Sequence, residues 1–343
     1  MSALREHDMG RIVKKHAKID VVTAAKRRIA NAYEHNTPVF FSFSGGKDST
    51  CMAHMMLELA KEGVVDPART IVLFVDEEAI FDGVDQLVRK WRNKFLMAGF
   101  QFWWLCLEVR HYNCFNTLVN DESFICWDRK KKDVWCRPMP EFAVNHHPLL
   151  KPGKDTYQDF LERLQEGSKA LVGVRVEESV QRRVYFTTML NKRNDNQAMI
   201  FPIYDWTTND VWLYIKENNL EFPDEYIHMY QVGISKKNLR ISQFFSIDTA
   251  KSLVKMSEFQ PGLMEKINQR EPNAYLACLY HDSEMFRKVR ERKDGSDEEE
   301  KDFKAESLRL LSDIEGNFPG KYARQVAKHY KRVIFQMQHQ MQL

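Results

Sequence analysis

One short stretch constrains this chain more than any other: Val39-Phe40-Phe41-Ser42-Phe43, then Ser44-Gly45-Gly46-Lys47-Asp48-Ser49-Thr50. The first five residues are mostly apolar β-formers and predict a buried strand. Beyond Ser49, the residues Met52, Met55, Met56 and Leu59 recur at helical spacing, which predicts a helix over 49–61. An ordinary strand-to-helix turn needs one glycine. Here two stand together ahead of a lysine. They permit positive φ and let another group approach the backbone closely. Successive N–H groups then face inward as an anion nest, and the helix start adds partial positive charge. Ser42, Ser44, Ser49 and Thr50 offer hydroxyls, Lys47 a mobile cation, and Asp48 a carboxylate to fix the loop or help hold Mg²⁺. The expectation is a phosphate cradle. It is not the G-x-x-x-x-G-K-[ST] loop, because the glycines abut the lysine.

The surrounding chain alternates strand and helix patterns. Asp20 is placed to cap a helix over 21–35, with Val22, Ala25, Ile29 and Tyr33 inward. Further strands are expected over 70–75, 102–109, 170–176 and 199–204, with helices over 82–97, 155–166 and 207–218. Thr207 and Asp210 form a capping-box pattern at the last of these. The expected fold is α/β, a doubly wound, mostly parallel five-stranded sheet in the order 3-2-1-4-5, followed by a helical C-terminal part. The expected division is a basic N-terminal segment (1–19), a nucleotide-binding domain (20–220) and a mainly helical region (221–343). Residues 110–150, rich in Trp, Cys, His and Pro, read as an insertion over one sheet edge. The charged stretch 287–304 reads as a solvated face.

Bulk properties exclude little beyond membrane spans. Of 343 residues, 43% are hydrophobic and 29% charged, enough for a core under a polar surface. No run approaches the roughly 18 apolar residues of a membrane span. The N-terminus carries no apolar leader, so a cytoplasmic location is expected. The net charge of +3 neither demands nor forbids nucleic acid. Six cysteines include no CxxC pair and read as reduced thiols.

The loop SFSGGKDST resembles the signature of the PP-loop ATP pyrophosphatases and of their relatives, the phosphoadenosine-phosphosulfate (PAPS) reductases. Gly173-Val174-Arg175-Val176-Glu177-Glu178-Ser179 with Arg182 and Arg183 resembles the G-x-R-x-x-E-S-x-x-R element of the PAPS-reductase branch. Pro202-Ile203-Tyr204-Asp205-Trp206-Thr207-Thr208-Asn209-Asp210-Val211-Trp212 resembles its P-(I/L)-x-D-W-T-x-x-D-V-W segment. Phe124 to Asp128, Lys130 to Lys132 and Trp135 to Pro138 are similar to an insertion in the immunoglobulin-binding regulator A (IbrA) family. The resemblance implies an adenine nucleotide alpha hydrolase-like fold and cleavage of ATP between the α and β phosphates, an acceptor becoming adenylylated as pyrophosphate leaves. Loops after strands one and four then face each other across the crevice. Lys47, Asp48 and Arg175 are the expected catalytic residues. Nucleotide binding is expected at Ser42, Ser44, Gly45, Gly46, Ser49, Thr50, Phe74, Val75, Asp76, Gly173, Glu178, Arg182 and Arg183. Asp48 and Asp76 are the expected metal ligands.

Two other readings stay open. Sulfonucleotide reduction or sulfur transfer needs a reactive thiolate. The chain lacks the ECGLH-type tail of such reductases, so Cys126 or Cys136 would have to substitute. A nucleotide-sensing regulatory subunit is the other, since IbrA-type proteins are associated with a ParB-like partner, IbrB. Trp127, Trp135, Lys130, Lys131, Lys132 and Arg137 combine flat rings with cations. That mixture suits a single-stranded nucleic acid, or core aromatics beside a solvated basic turn. Zinc at Cys126, Cys136, His146 and His147 is disfavoured by irregular spacing.

Overall fold

The structure is a computed structural model that describes residues 18–112, 123–178, 198–234, 236, 239, 241, 260–272 and 274. Helix α1 (Val21–Asn31) starts at Asp20, whose carboxylate accepts from Thr23 N at 2.8 Å. Strand β1 (Val39–Ser42) leads into α2 (Lys47–Lys61), then β2 (Thr70–Val75), α3 (Asp82–Met97) and β3 (Gln101–Leu105). A hairpin of β4 (Arg110–Tyr112) and β5 (Ser123–Ile125) follows. Next come α4 (Tyr157–Leu164), β6 (Lys169–Val172), β7 (Met199–Ile200), α5 (Thr208–Glu217), α6 (Glu225–Gln231) and α7 (Pro261–Arg270).

The main sheet has the order β3-β2-β1-β6-β7, all parallel. This is the expected five-strand order. Several elements are shorter than their patterns suggest. The third strand ends at Leu105, not 109, because Cys106 N bonds Val144 O at 3.0 Å and the returning insertion takes over the edge. The fourth ends at Val172, where Gly173 packs against the start of α2, and the fifth is reduced to Met199–Ile200. Helix α2 begins at Lys47 rather than 49, so the loop's lysine is already helical.

The core follows from the apolar periods. Met52, Met55 and Met56 of α2 are fully buried, as is Phe41 of β1. Beyond the strand, Phe43 lies 6.1 Å from Trp91 and 6.3 Å from Phe95, packing α3 onto the sheet. At α5 the capping box is complete: Thr207 N bonds Asp210 Oδ2 at 2.7 Å, and Asp210 N bonds Thr207 Oγ1 at 3.2 Å. Asp205, within the segment that resembles the PAPS-reductase branch, pairs with Arg28 of α1 through two bonds of 2.7 Å. That clamp ties α1 to the chain ahead of α5.

Candidate functional site

The turn after β1 needs a glycine at 45. Gly45 has φ +72°, and a Cβ there would stand 2.6 Å from Val88 Cγ2. Gly46 is the N-cap of α2 and offers no side chain to its N–H groups. Ser49 Oγ ties the loop together. It accepts from Ser44 N at 3.2 Å, meets Ser44 Oγ at 3.0 Å and donates to Gly46 O at 3.0 Å. The hydroxyls and the helix start thus converge on one point.

That point opens into a cavity of about 490 Å³ at the carboxyl ends of β1, β2 and β6. The size falls within the usual range for small-ligand sites. Its walls include Ser42, Phe43, Ser44 and Ser49 on one side, Leu73, Phe74 and Val75 on another, and Val172, Gly173 and Val174 opposite. The crevice lies between the adjacent strands β1 and β6, where connections diverge to either side, the place at which doubly wound sheets bind ligands. Of the expected binding residues, Ser42, Ser44, Ser49, Phe74, Val75 and Gly173 line it, and Gly45 and Gly46 shape its loop.

The charged candidates sit differently. Lys47, expected as a mobile cation, is only 4% exposed. Its ammonium donates to Leu239 O at 3.1 Å and lies 3.0 Å from Asp48 Oδ2. Arg175, expected to grip phosphate, is 3% exposed. Its Nε pairs with Asp48, while its Nη atoms lie 3.4 Å from Glu177 and 3.8 Å from Glu178. These groups brace the loop against the β6 side from behind the cavity wall. Thr50 is fully buried, with Oγ1 unpartnered and away from the cavity lining. Arg182 and Arg183 lie outside the described residues.

Asp76 corrects an expectation. Its side chain is fully buried and accepts from Trp104 Nε1 at 2.6 Å, Cys106 Sγ at 3.4 Å and Glu78 N at 3.0 Å, with Arg137 in an ion pair. Burial pushes its carboxyl above the ordinary range, against the pull of Arg137. The two expected Mg²⁺ ligands are therefore committed to different ion pairs. No group of three His, Cys, Asp or Glu among the described residues is arranged to hold a metal.

The aromatic–basic segment resolves toward core. Trp127 is 1% exposed, donates to Asp76 O at 2.7 Å and meets Trp135 edge-on at 5.1 Å. Lys130, Lys131 and Lys132 stand outside on an exposed turn. The thiols are equally enclosed. Cys51, Cys106, Cys126 and Cys136 are free and buried. Burial, together with Glu78, pushes the Cys136 thiol up to about 12 and Cys126 well above its ordinary value. A thiol held protonated at neutral pH is a poor nucleophile. Cys114 and Cys278 lie outside the described residues.

Other wall residues escaped the sequence reading. Glu77 lines the cavity one step past Asp76, 3.4 Å from His111 of the hairpin. The two-residue strand period after Val75 was the available signal. Phe81, Val84, Leu161 and Ile241 also line it and carry no local motif.

Residues 154–236 match the family model of the phosphoadenosine phosphosulfate reductase domain. The matched span carries Gly173, Val174 and Arg175, while the Ser44–Ser49 loop lies outside it. An uncharacterized protein of Escherichia coli (strain K12), YbdN, is 25% identical over 292 residues, covering 78% of this chain and 70% of that protein. Solved structures give distant likenesses. The U34-tRNA thiolase NcsA from Methanococcus maripaludis has TM-score 0.34 at 15% identity, covering 75% of this chain and 78% of that one. Candida glabrata FMN adenylyltransferase has TM-score 0.34 at 12% identity, covering 61% and 58%. The NH3-dependent NAD synthetase of Campylobacter jejuni has TM-score 0.30 at 12% identity, covering 75% and 96%.

Proposed function

We propose that the cavity binds ATP, with the phosphates at the Ser44–Ser49 loop and the nucleoside toward the end of β2, and that the chain cleaves ATP between the α and β phosphates. The carrying observation is the cavity itself. It joins Ser44 and Ser49, on either side of a helix start capped by a glycine, to the strand-end residues Phe74 and Val75. The helix start and hydroxyls suit phosphate, and strand-end backbone suits a flat heteroaromatic edge. The family match over the opposite wall supports an adenine nucleotide as the ligand.

In this reading the loop N–H groups and the serine hydroxyls stabilise charge developing on the departing pyrophosphate. Lys47 reaches the phosphates by exchanging its bond to Leu239 O for one to a phosphate oxygen. Arg175 and Asp48 hold the loop in shape during that exchange. The acceptor takes the adenylyl group. Reduction of a sulfonucleotide is the weaker reading, since all four described thiols are buried.

The test is incubation with α-labelled ATP and separation of products. Labelled AMP or an adenylylated acceptor, with unlabelled pyrophosphate, is expected, and Lys47→Ala abolishes turnover. Labelled ADP with free phosphate contradicts the mechanism.

A further inference from the structure

Two adjacent residues at the start of α6 reach the beginnings of two different helices in the cavity wall. Glu225 is 2% exposed, and its Oε1 accepts from Gly83 N at 2.9 Å, in the first turn of α3. A Cβ on Gly83 would stand 2.3 Å from Glu225 Oε2, so the glycine is what admits the carboxylate. Gln260 Nε2 holds the same Oε1 at 2.9 Å. Tyr226 is 3% exposed, and its hydroxyl accepts from Lys47 N at 3.1 Å, at the first residue of α2. The Tyr226 ring is fixed edge-on against Trp212 at 5.5 Å. Burial raises the phenol above its ordinary value and keeps it protonated, and its oxygen also meets the Ile241 backbone. Ile241 in turn lines the cavity.

Both helix starts belong to the site. Ser44 and Ser49 come from the α2 end, and Phe81 and Val84 from the α3 end. The two ends are satisfied by groups of different charge. A carboxylate accepts from Gly83 N in the first turn of α3, where the partial positive charge would otherwise attract an anion. A neutral phenol accepts from one N–H of α2, Lys47 N, and adds no negative charge at that end.

We infer that Glu225 and Tyr226 act together as a positioning pair: they set the distance between the α2 and α3 helix starts and direct the ligand's phosphates to α2 alone. The inference rests on the nucleotide reading above and adds a role for the region beyond α5. Neither residue touches the ligand. They act through Lys47 N and Gly83 N.

The experiment is equilibrium binding of ATP to the full chain and to Tyr226→Phe, Glu225→Gln and Glu225→Ala, with amide hydrogen exchange measured in parallel. Tyr226→Phe keeps the ring packing and removes one hydrogen bond. It is expected to weaken ATP about threefold to tenfold, the equivalent of one such bond, and to speed exchange at Lys47 N. Glu225→Gln keeps an acceptor for Gly83 N but loses the charge, so it is expected to weaken ATP as Glu225→Ala does; wild-type affinity in Glu225→Gln overturns the role given to the charge. If Glu225→Ala does not fold, Tyr226→Phe carries the test. Unchanged ATP affinity in Tyr226→Phe, with Lys47 N exchanging faster, makes the contact merely structural and overturns the inference. Tighter binding overturns it too, because the phenol would then compete with the ligand. Absence of ATP binding by the wild type overturns the nucleotide reading itself, and this inference with it.

Discussion

The cavity's two flanking walls are made in opposite ways. The α2 wall is local: Ser44, Gly45, Gly46 and Ser49 lie within one turn, and their hydrogen bonds run between near neighbours. The wall between β2 and α3, from Glu77 to Phe81, is borrowed. Glu78 sits there at φ +71°, with its side chain fully buried. Arg270 of α7 grips it at 2.7 and 3.2 Å, and Trp127 N and Cys136 N add bonds at 2.8 and 3.3 Å. Arg270 also lies 4.5 Å above the Phe124 ring and donates to Ile125 O at 2.8 Å. One wall takes its turn from bonds within a few residues, with Tyr226 and Arg175 bracing it from a distance. The other is set by a buried ion pair between positions far apart in the chain. In the proposed reading the local wall serves the part of a nucleotide that is always the same, its phosphates. The borrowed wall is free to vary with whatever else the cavity must accept.

Removing Arg270 breaks the borrowed wall most severely. Arg270→Met leaves Glu78 buried without its cation and is expected to cost about 3–5 kcal/mol in urea denaturation. A loss under 1 kcal/mol would show that the pair is not what fixes that wall. Gly45→Ala attacks the local wall. It adds positive-φ strain and a clash with Val88, together about 2–4 kcal/mol by the same measurement. A neutral result would mean that the loop relaxes freely and is not the rigid cradle described.

Thr207→Ala sharpens the contrast away from the site. Loss of the α5 capping box is expected to cost about 1 kcal/mol without changing ligand affinity. A large affinity change would make α5 part of the site and not its support. The smallest effect comes from Asp20, whose carboxyl is held below its ordinary 3.8 by the Thr23 bonds. The folded pKa is depressed, so the cap's contribution is complete above 3.8 and fades as pH falls through the lower folded value. An NMR titration of Asp20 midway at or above 3.8 would contradict the cap.

The same contrast explains what could be read from the chain alone. The strand order and the tight turn into α2 were legible because apolar periods and a two-glycine turn are local signals. Thr207–Asp210 and Asp20 were legible for the same reason, as caps are decided within four residues. Lys47, Arg175 and Asp76 were identified as charged groups near the site, but their partners were not. Whether a cation meets a ligand, a carboxylate or a carbonyl depends on residues such as Leu239 and Arg137, which no local pattern brings together. Trp127 and Trp135 could be read as stacking surfaces or as core, and burial decided between them. The Glu225 and Tyr226 contacts left a trace only in Gly83, a glycine in the first turn of α3 whose reason is the carboxylate packed on it.

The most direct test of the central claim is an equilibrium titration of wild type and Gly173→Leu with ATP. Gly173 lies in the cavity wall, 3.6 Å from Ser49 N at the position a Cβ would take, with only the flexible Met52 Sδ nearer, at 3.1 Å. A leucine there is expected to fill the crevice beside the Ser44–Ser49 loop, with circular dichroism checking that the variant is folded. The account predicts saturable binding by the wild type and none by a folded Gly173→Leu. Equal binding by both would place the nucleotide elsewhere and contradict it.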